Sequence, residues 1–158
     1  MIKKNLIKLL ILLFFIYGCG YSPIFSNKDS NFSIYELSAS ENSKLNKIIN
    51  GRLDNYKGSD NKKKFSLTIE TYLNKEVASR DSKGNPKTYR INLESNISIK
   101  DLNGNVKNKS FSKSVDYNNR SNKSELKRYE NETLHNLAEK ISDDVIASCH
   151  QCGAPSDE

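Results

Sequence analysis

The chain has 158 residues, enough for one ordinary domain and too few for two sizeable ones. Its residues are 35% hydrophobic and 28% charged, and the only long apolar run lies at the N-terminus, which excludes a bundle of membrane helices. The net charge of +6 includes three lysines within the first 18 residues; the remainder has 22 basic and 19 acidic side chains, too even a balance to predict a nucleic-acid partner.

The N-terminus has the features of a secretory signal. Three lysines precede eight unbroken apolar residues, Leu9 to Ile16, and a permanent membrane span needs about 20. The run ends in Ile16-Tyr17-Gly18-Cys19, which resembles a bacterial lipobox. The resemblance implies that residues 1–18 are a lipoprotein signal peptide and that Cys19 carries a diacylglyceryl group and an N-acyl chain. The alternative is an ordinary signal peptide with an incidental cysteine.

A lipid on Cys19 would fix the protein to a membrane, because each buried methylene contributes about 0.8 kcal/mol. In bacterial lipoproteins an aspartate after the cysteine favours the inner membrane, and this chain has Gly20 instead. We therefore expect an outer-membrane location on the periplasmic side. Residues 19–30 contain Pro23 and no apolar period, which predicts a flexible tether.

The first elements of the mature chain are a strand and a helix. Phe32 to Leu37 has the pattern of a short strand. Glu41 to Tyr56 carries apolar residues at helical spacing, with Ser40 or Asn42 as a cap and Gly58 at its end.

Three further strands follow. Strict alternation of apolar and polar residues predicts strands over Phe65 to Leu73 and Tyr89 to Ile99, joined by a turn at 82–86. A third strand runs from Val106 to Tyr117. We expect a three-residue loop before it, with Asn105 in the left-handed conformation. That register pairs Ile97 with Phe111, Leu93 with Val115 and Ile91 with Tyr117.

A long helix begins near Ser124 and is expected to end near Ser148, before a disordered tail over 149–158. The domain therefore covers 31–148. One apolar sheet face and two one-sided helices predict an α+β fold: a two-layer sandwich with a four-stranded mixed sheet and two helices on one face, in the order β-α-β-β-β-α.

Catalytic and metal-binding patterns are weak in this sequence. Glu132 and His135 have the spacing of a di-iron motif, but that chemistry needs a second helix with the same ligands. Cys149 and Cys152 form one C-x-x-C pair, which predicts either a disulfide or two free thiols. We expect no enzymatic activity, no metal and no cofactor other than the covalent lipid.

Two sets of basic residues are candidate binding sites. Arg52 falls within the apolar stripe of the first helix, so its head either reaches solvent or contacts an acidic group or a partner. Four cations surround the 82–86 turn, where they could bind a phosphate-rich ligand or simply be solvated. These residues are Arg80, Lys83, Lys87 and Arg90.

The order of these features resembles the lipopolysaccharide-assembly lipoprotein family, the plug of the outer-membrane lipopolysaccharide translocon. The resemblance covers about residues 16–148. It rests on four stretches together with the order of the elements: Arg90-Ile91-Asn92-Leu93, Ile99 to Gly104, Val115-Asp116-Tyr117-Asn118 and Leu137 to Ile141.

The resemblance implies two partners: a large outer-membrane β-barrel, which the protein plugs, and lipopolysaccharide, which it helps to deliver to the outer leaflet. The alternative is a stand-alone outer-membrane lipoprotein that acts as a pilotin-like chaperone or scaffold for another envelope complex.

Overall fold

The computed structural model describes residues 30–39, 44–58 and 63–153. The predicted signal peptide, Cys19, nearly all of the predicted tether, the helix caps Ser40 and Asn42, and residues 154–158 lie outside the described residues.

The described residues form four strands and two helices in the predicted order. Their bounds are β1 Phe32–Ala39, α1 Lys44–Leu53, β2 Lys63–Arg80, β3 Pro86–Asp101, β4 Val106–Asn118 and α2 Lys123–Gly153. A short 3₁₀ turn, Asp54–Tyr56, continues α1.

The strands lie in the order β1-β2-β3-β4. β1 pairs with β2 in parallel, while β2 with β3 and β3 with β4 pair antiparallel, so the sheet is mixed. Both helices pack on one face, and one apolar cluster lies between the two layers. The predicted α+β two-layer sandwich is confirmed.

The core follows from the alternation of side chains along the strands. Alternate residues of β2 and β3 face the helices and are buried, and one stripe of each helix meets them. Fully buried examples from four elements are Ile49, Leu67, Leu93 and Ile141. Burial of each such side chain contributes about 1.5–3 kcal/mol.

The hairpin of β2 and β3 is longer than predicted. β2 continues to Arg80, whereas its pairing with β1 ends at Ile69. From Glu70 onward β2 therefore has no neighbouring strand on that side among the described residues. Tyr72 and Leu73 are about half exposed there.

The β3–β4 register differs from the prediction by two residues. Ile91 lies opposite Val115, Tyr89 lies opposite Tyr117, and Ser95 lies opposite Phe111. The loop has three residues as expected, but they are Leu102 to Gly104, and Gly104 rather than Asn105 has the positive φ, +87°. Glycine adopts that conformation without a steric penalty, which places the turn one residue earlier. A shift of two residues leaves the same side chains facing the core.

Helix α2 is longer at its C-terminus than predicted. Asn122 caps its start, since its Oδ1 accepts hydrogen bonds from the backbone N–H of Ser124 and Glu125, at 3.0 and 3.3 Å. The helix ends at Gly153 instead of Ser148, because Cys149 is fully buried in the core and extends the apolar stripe. Residues 149–153, predicted as disordered tail, are therefore helical.

Candidate functional site

The face of the sheet opposite the helices, here called the outer face, is polar. Strand alternation places hydroxyl, amide and carboxylate side chains on it, and most are exposed or half-buried. They include Ser66, Thr68, Glu70, Asn92, Glu94, Asn96 and Ser98. Most of these side chains are neutral; the charged ones among them are Glu70 and Glu94.

Side chains on the outer face bond to one another across the strands. The hydroxyl groups of Ser38 and Thr68 lie 3.2 Å apart between β1 and β2. Between β3 and β4, the Ser112 hydroxyl donates to Asn92 Oδ1 at 2.9 Å. These contacts give the outer face a lattice of neutral donors and acceptors that can also bond to water.

Arg90 lies on the outer face and is paired with Asp116. Its Nε and one terminal nitrogen donate to the two carboxylate oxygens at 2.7 and 2.9 Å, a bidentate pair. The hydrogen bonds of this pair raise the pKa of Arg90 and lower the pKa of Asp116. The charge of Arg90 is thus offset within the protein.

The loop between β2 and β3 is built around Asp81. Its carboxylate accepts hydrogen bonds from the backbone N–H of Lys83 and Asn85, at 2.9 and 2.8 Å. Gly84 has φ +84°, and its N–H donates to the Asp81 carbonyl at 3.0 Å. We call the segment 80–90 the distal hairpin, because it lies at the sheet end opposite Phe32, where β1 begins.

The structure does not bring the four predicted cations of the distal hairpin to one point. Arg80 donates to the Gly84 carbonyl oxygen at 2.9 Å, and Arg90 is paired with Asp116. Lys83 is exposed on the loop. Lys87 and Arg90 are three positions apart on a strand, so they lie on opposite faces. The hairpin is a basic region with cations on several sides.

A second cluster lies beneath the distal hairpin, on the helix side of the sheet. Lys75 Nζ lies 2.5 Å from Glu130 Oε1 and 4.6 Å from the centre of the Tyr89 ring. The Tyr117 hydroxyl donates to the same Glu130 oxygen at 2.7 Å. Burial, and then the hydrogen bond to Glu130, raises the pKa of Tyr117.

Glu130 is held as a carboxylate in this cluster. Burial by itself raises its pKa, but the hydrogen bonds from Lys75 and Tyr117 outweigh burial, and the pKa falls below 4.5. The Lys75–Glu130 pair therefore links α2 to β2. Because Lys75 is already paired, it does not count among the cations that could bind a ligand.

Arg120 is a further cation near the distal hairpin that the sequence did not single out. Its guanidinium lies 4.9 Å from the centre of the Tyr129 ring, and it lines a shallow concavity with Thr88, Asp116 and Tyr117. Its position in a polar loop after β4 gave no pattern that points to a site. Only the β3–β4 register brings it beside the start of β3, where Thr88 lies opposite Asn118.

Arg52 contacts two carboxylates of α2. Its terminal nitrogens lie 2.5 Å from Asp143 Oδ1 and 3.7 Å from Glu139 Oε1. The hydrogen bond to Asp143 raises the pKa of Arg52. Of the alternatives left open by the sequence, Arg52 thus contacts acidic groups within the chain, and its side chain remains 43% exposed.

The two C-terminal cysteines of the described residues are both free thiols, and they lie in a helix. Cys149 is buried, which raises its pKa to about 12, while Cys152 is half-buried. Within the described residues no cluster of three or more potential ligands could hold a metal ion. In the same part of the chain, no helix has the length and apolar character to cross a bilayer.

No protein-family model matches the sequence, and no curated protein matches it significantly. Solved structures do share the fold. The rare lipoprotein B from Shewanella oneidensis has a TM-score of 0.61 and 19% identity, over 76% of this chain and 96% of that one.

Two other bacterial structures are similar. A minor lipoprotein from Acinetobacter baumannii has a TM-score of 0.56 and 11% identity, over 80% of this chain and 96% of that one. Lipoprotein B from Nitrosomonas europaea has a TM-score of 0.58 and 9% identity, over 81% and 88%. At these identities the likeness establishes a shared fold across nearly the whole length of the solved chains.

Proposed function

We propose that this chain is an outer-membrane lipoprotein that assembles with a large β-barrel translocon, plugs its lumen and helps to deliver lipopolysaccharide to the outer leaflet. The fold shared with three bacterial lipoproteins supports this proposal, and so does the predicted lipidation site at Cys19. The protein acts by binding and positioning, without catalysis.

The outer face is the observation that carries the proposal. A plug inside a wet barrel must meet a wall of polar side chains and water rather than an apolar surface. The outer face offers neutral hydroxyl and amide groups, already bonded across strands, and one cation on it is offset by Asp116. Such a face can exchange water-mediated contacts with a partner at little desolvation cost.

The distal hairpin supplies the second part of the proposal, contact with lipopolysaccharide. Phosphate groups are bound by charge-assisted hydrogen bonds from lysine and arginine. Lys83 and Lys87 are exposed at the tip, with Arg80 beside them, and Arg90 is held by Asp116 on the outer face. The hairpin projects beyond β1, which leaves room for a ligand on that side.

Capture of the membrane protein tests the first part. Tagged full-length chain, processed in cells, is purified from outer membranes in mild detergent, and co-purifying proteins are identified with their stoichiometry. We expect one large outer-membrane β-barrel at a constant ratio. A secretion or pilus component instead, with no barrel, would favour the scaffold alternative.

Site-directed photocrosslinking then tests which face meets the partner. A photoreactive benzoylphenylalanine replaces Glu94, at an exposed position of the outer face, and in a matched control replaces Lys127, exposed on α2. We expect barrel adducts from position 94 in intact membranes and far fewer from position 127. Equal adducts from both positions, or adducts from 127 only, would contradict the assignment of the outer face as the contact surface.

A further inference from the structure

We infer that the end of the sheet at which β1 begins rests on an anionic lipid surface. This surface, the membrane-side tip, consists of two exposed aliphatic side chains and three exposed lysines. They are Leu102, Val106, Lys64, Lys100 and Lys107. The inference deepens the proposed function, on whose lipid anchor it rests, by giving the protein an orientation.

The aliphatic side chains are the first observation. Leu102 is 67% exposed at the tip of the β3–β4 loop, and Val106 is 52% exposed directly after it. Isolated apolar side chains are common on surfaces, but these two lie at one tight turn between β3 and β4. A loop of this kind can insert its aliphatic groups among lipid headgroups.

The lysines are the second, independent observation. Lys100 lies opposite Val106 in the sheet, Lys107 follows Val106, and Lys64 lines a concavity together with Leu102. None of these three lysines forms a salt bridge with another described residue, whereas Lys75 and Lys113 do. Lysines beside exposed aliphatic groups complement an anionic membrane surface.

Within the described β3–β4 loop, the Asp101 carboxylate reduces the positive charge of the membrane-side tip only in part. Asp101 begins the loop, and both of its oxygens are used internally, by the backbone N–H and the side-chain amide of Asn105 at 2.9 and 2.8 Å. These hydrogen bonds lower the pKa of Asp101, so its carboxylate remains charged and stabilises the loop conformation.

The point at which the described chain begins is the third observation. Ser30 precedes Phe32, which pairs with Lys63, while Phe65 pairs with Asp101 at the base of the β3–β4 loop. The N-terminal segment thus joins the domain at the same end as the membrane-side tip. Cys19 is 11 residues from Ser30, a reach of at most roughly 40 Å, so a lipid on Cys19 keeps this end close to the bilayer.

The consequence is a defined orientation. With Leu102 at the lipid surface, the C-terminal end of β3 lies at the membrane-side tip, and the 16 residues of β3 place the distal hairpin about 50 Å from it. The distal hairpin then lies far from the leaflet that holds the anchor. The lipid supplies the attachment, and the membrane-side tip selects which end faces the bilayer.

The absence of tryptophan from the chain makes a direct test possible. Full-length processed protein carrying Leu102→Trp is reconstituted in phosphatidylcholine vesicles with and without phosphatidylglycerol, and quenching by brominated lipid is measured. Ser82→Trp in the distal hairpin is the matched control. We expect at least threefold stronger quenching at position 102 than at 82 on anionic vesicles. Equal quenching at the two positions would overturn the inference.

The lysines are tested in the Leu102→Trp background. Serine at Lys64, Lys100 and Lys107 is expected to reduce quenching on anionic vesicles by half or more. Serine at Lys47, Lys127 and Lys140, exposed lysines on the helices, makes the same charge change and should leave quenching unaltered. Equal effects of the two triple variants would contradict a specific role for the tip.

Mass spectrometry of the N-terminal peptide separates this inference from the proposed function. If Cys19 is lipidated but quenching is equal at positions 102 and 82, the membrane-side tip is rejected and the lipid anchor of the proposed function stands. An unmodified Cys19 rejects the anchor; the same variants added to vesicles in lipid excess still compare the two ends, and preferential quenching at position 102 supports the tip.

Discussion

Asp81 and Asp101 occupy the same position in the two hairpin loops, at opposite ends of β3. Each carboxylate accepts a hydrogen bond from the backbone N–H of the asparagine four residues later, at 2.8 and 2.9 Å. Each loop follows the pattern Asp-x-x-Gly-Asn, and the glycines have φ values of +84° and +87°. The same combination of an aspartate–asparagine hydrogen bond and a positive-φ glycine therefore sets the register of β3 with both of its neighbouring strands.

Alanine at Gly104 should destabilise the fold through backbone strain. No atom lies within 4 Å of an added Cβ, so the cost comes from the positive φ, roughly 1–2 kcal/mol. Gly51, inside α1, is the control: Gly51→Ala also has open space and should stabilise by roughly 0.5–1 kcal/mol. Urea unfolding of both variants checks the opposite signs, and equal signs would contradict the argument.

Stability should fall in acid, in part because of Glu130. Its pKa in the folded protein lies below the ordinary 4.5, so its contribution is fully present above that value and is lost as the pH falls through the lower folded value. Glu130→Gln should cost about 1 kcal/mol at pH 7. It should also flatten the loss of unfolding free energy between pH 5 and 3. An acid profile identical to that of the unaltered protein would contradict this role.

Much of the fold could be predicted from alternation and helical spacing. Leu67, Leu93 and Ile141 are in the core because their patterns are regular over many residues. The exact register could not be predicted, since loops at 102–104 and at 103–105 leave the same side chains facing inward. The conformational preference of Gly104, together with the Asp101 hydrogen bonds, decides between them.

The candidate sites were less predictable, because they depend on pairs distant in sequence. Arg52 and Asp143 are 91 residues apart, and Lys75 and Glu130 are 55 apart. Lys75 lies two positions after Leu73 on the helix side of β2, and only the fold brings Glu130 to it. Cys149 was assigned to the tail because the nearby Gly153 and Pro155 suggested an earlier helix end.

The contact between Arg52 and Asp143 should be weak on its own. Their side chains are 43% and 41% exposed, and exposed pairs contribute about 0–1 kcal/mol. A double-mutant cycle with Arg52→Ala and Asp143→Ala should give a coupling below about 1 kcal/mol that disappears in 1 M salt. A much larger coupling would mean that the pair holds the helices together. If Arg52 also meets a partner, Arg52→Ala should reduce barrel capture more than Asp143→Ala does.

The two C-terminal cysteines should differ sharply in reactivity. Burial raises the pKa of Cys149 to about 12, so almost no thiolate forms at pH 8, while Cys152 is only half-buried. In a Cys19→Ser chain, a thiol reagent should label one cysteine quickly and the second only in urea. Cys152→Ser should remove the fast phase. A fast phase that persists in that variant would show that Cys149 is accessible.

The distal hairpin should bind lipopolysaccharide through its unpaired cations. Serine at Arg80, Lys83, Lys87 and Arg90 should weaken binding tenfold or more, with unchanged circular dichroism, because cations near an anionic surface contribute about 1 kcal/mol each. Arg90→Ser alone should have a small effect, since Asp116 already offsets its charge.

Charge-matched serine substitutions at Lys44, Lys47, Lys127 and Lys140 separate a specific role of the hairpin from a general effect of charge. These lysines are exposed on α1 and α2. Isothermal titration with purified lipopolysaccharide should show near-native affinity for this variant. If the hairpin variant binds as tightly as the unaltered protein, the ligand contacts lie elsewhere, and Arg120 beside Tyr129 becomes the next residue to replace.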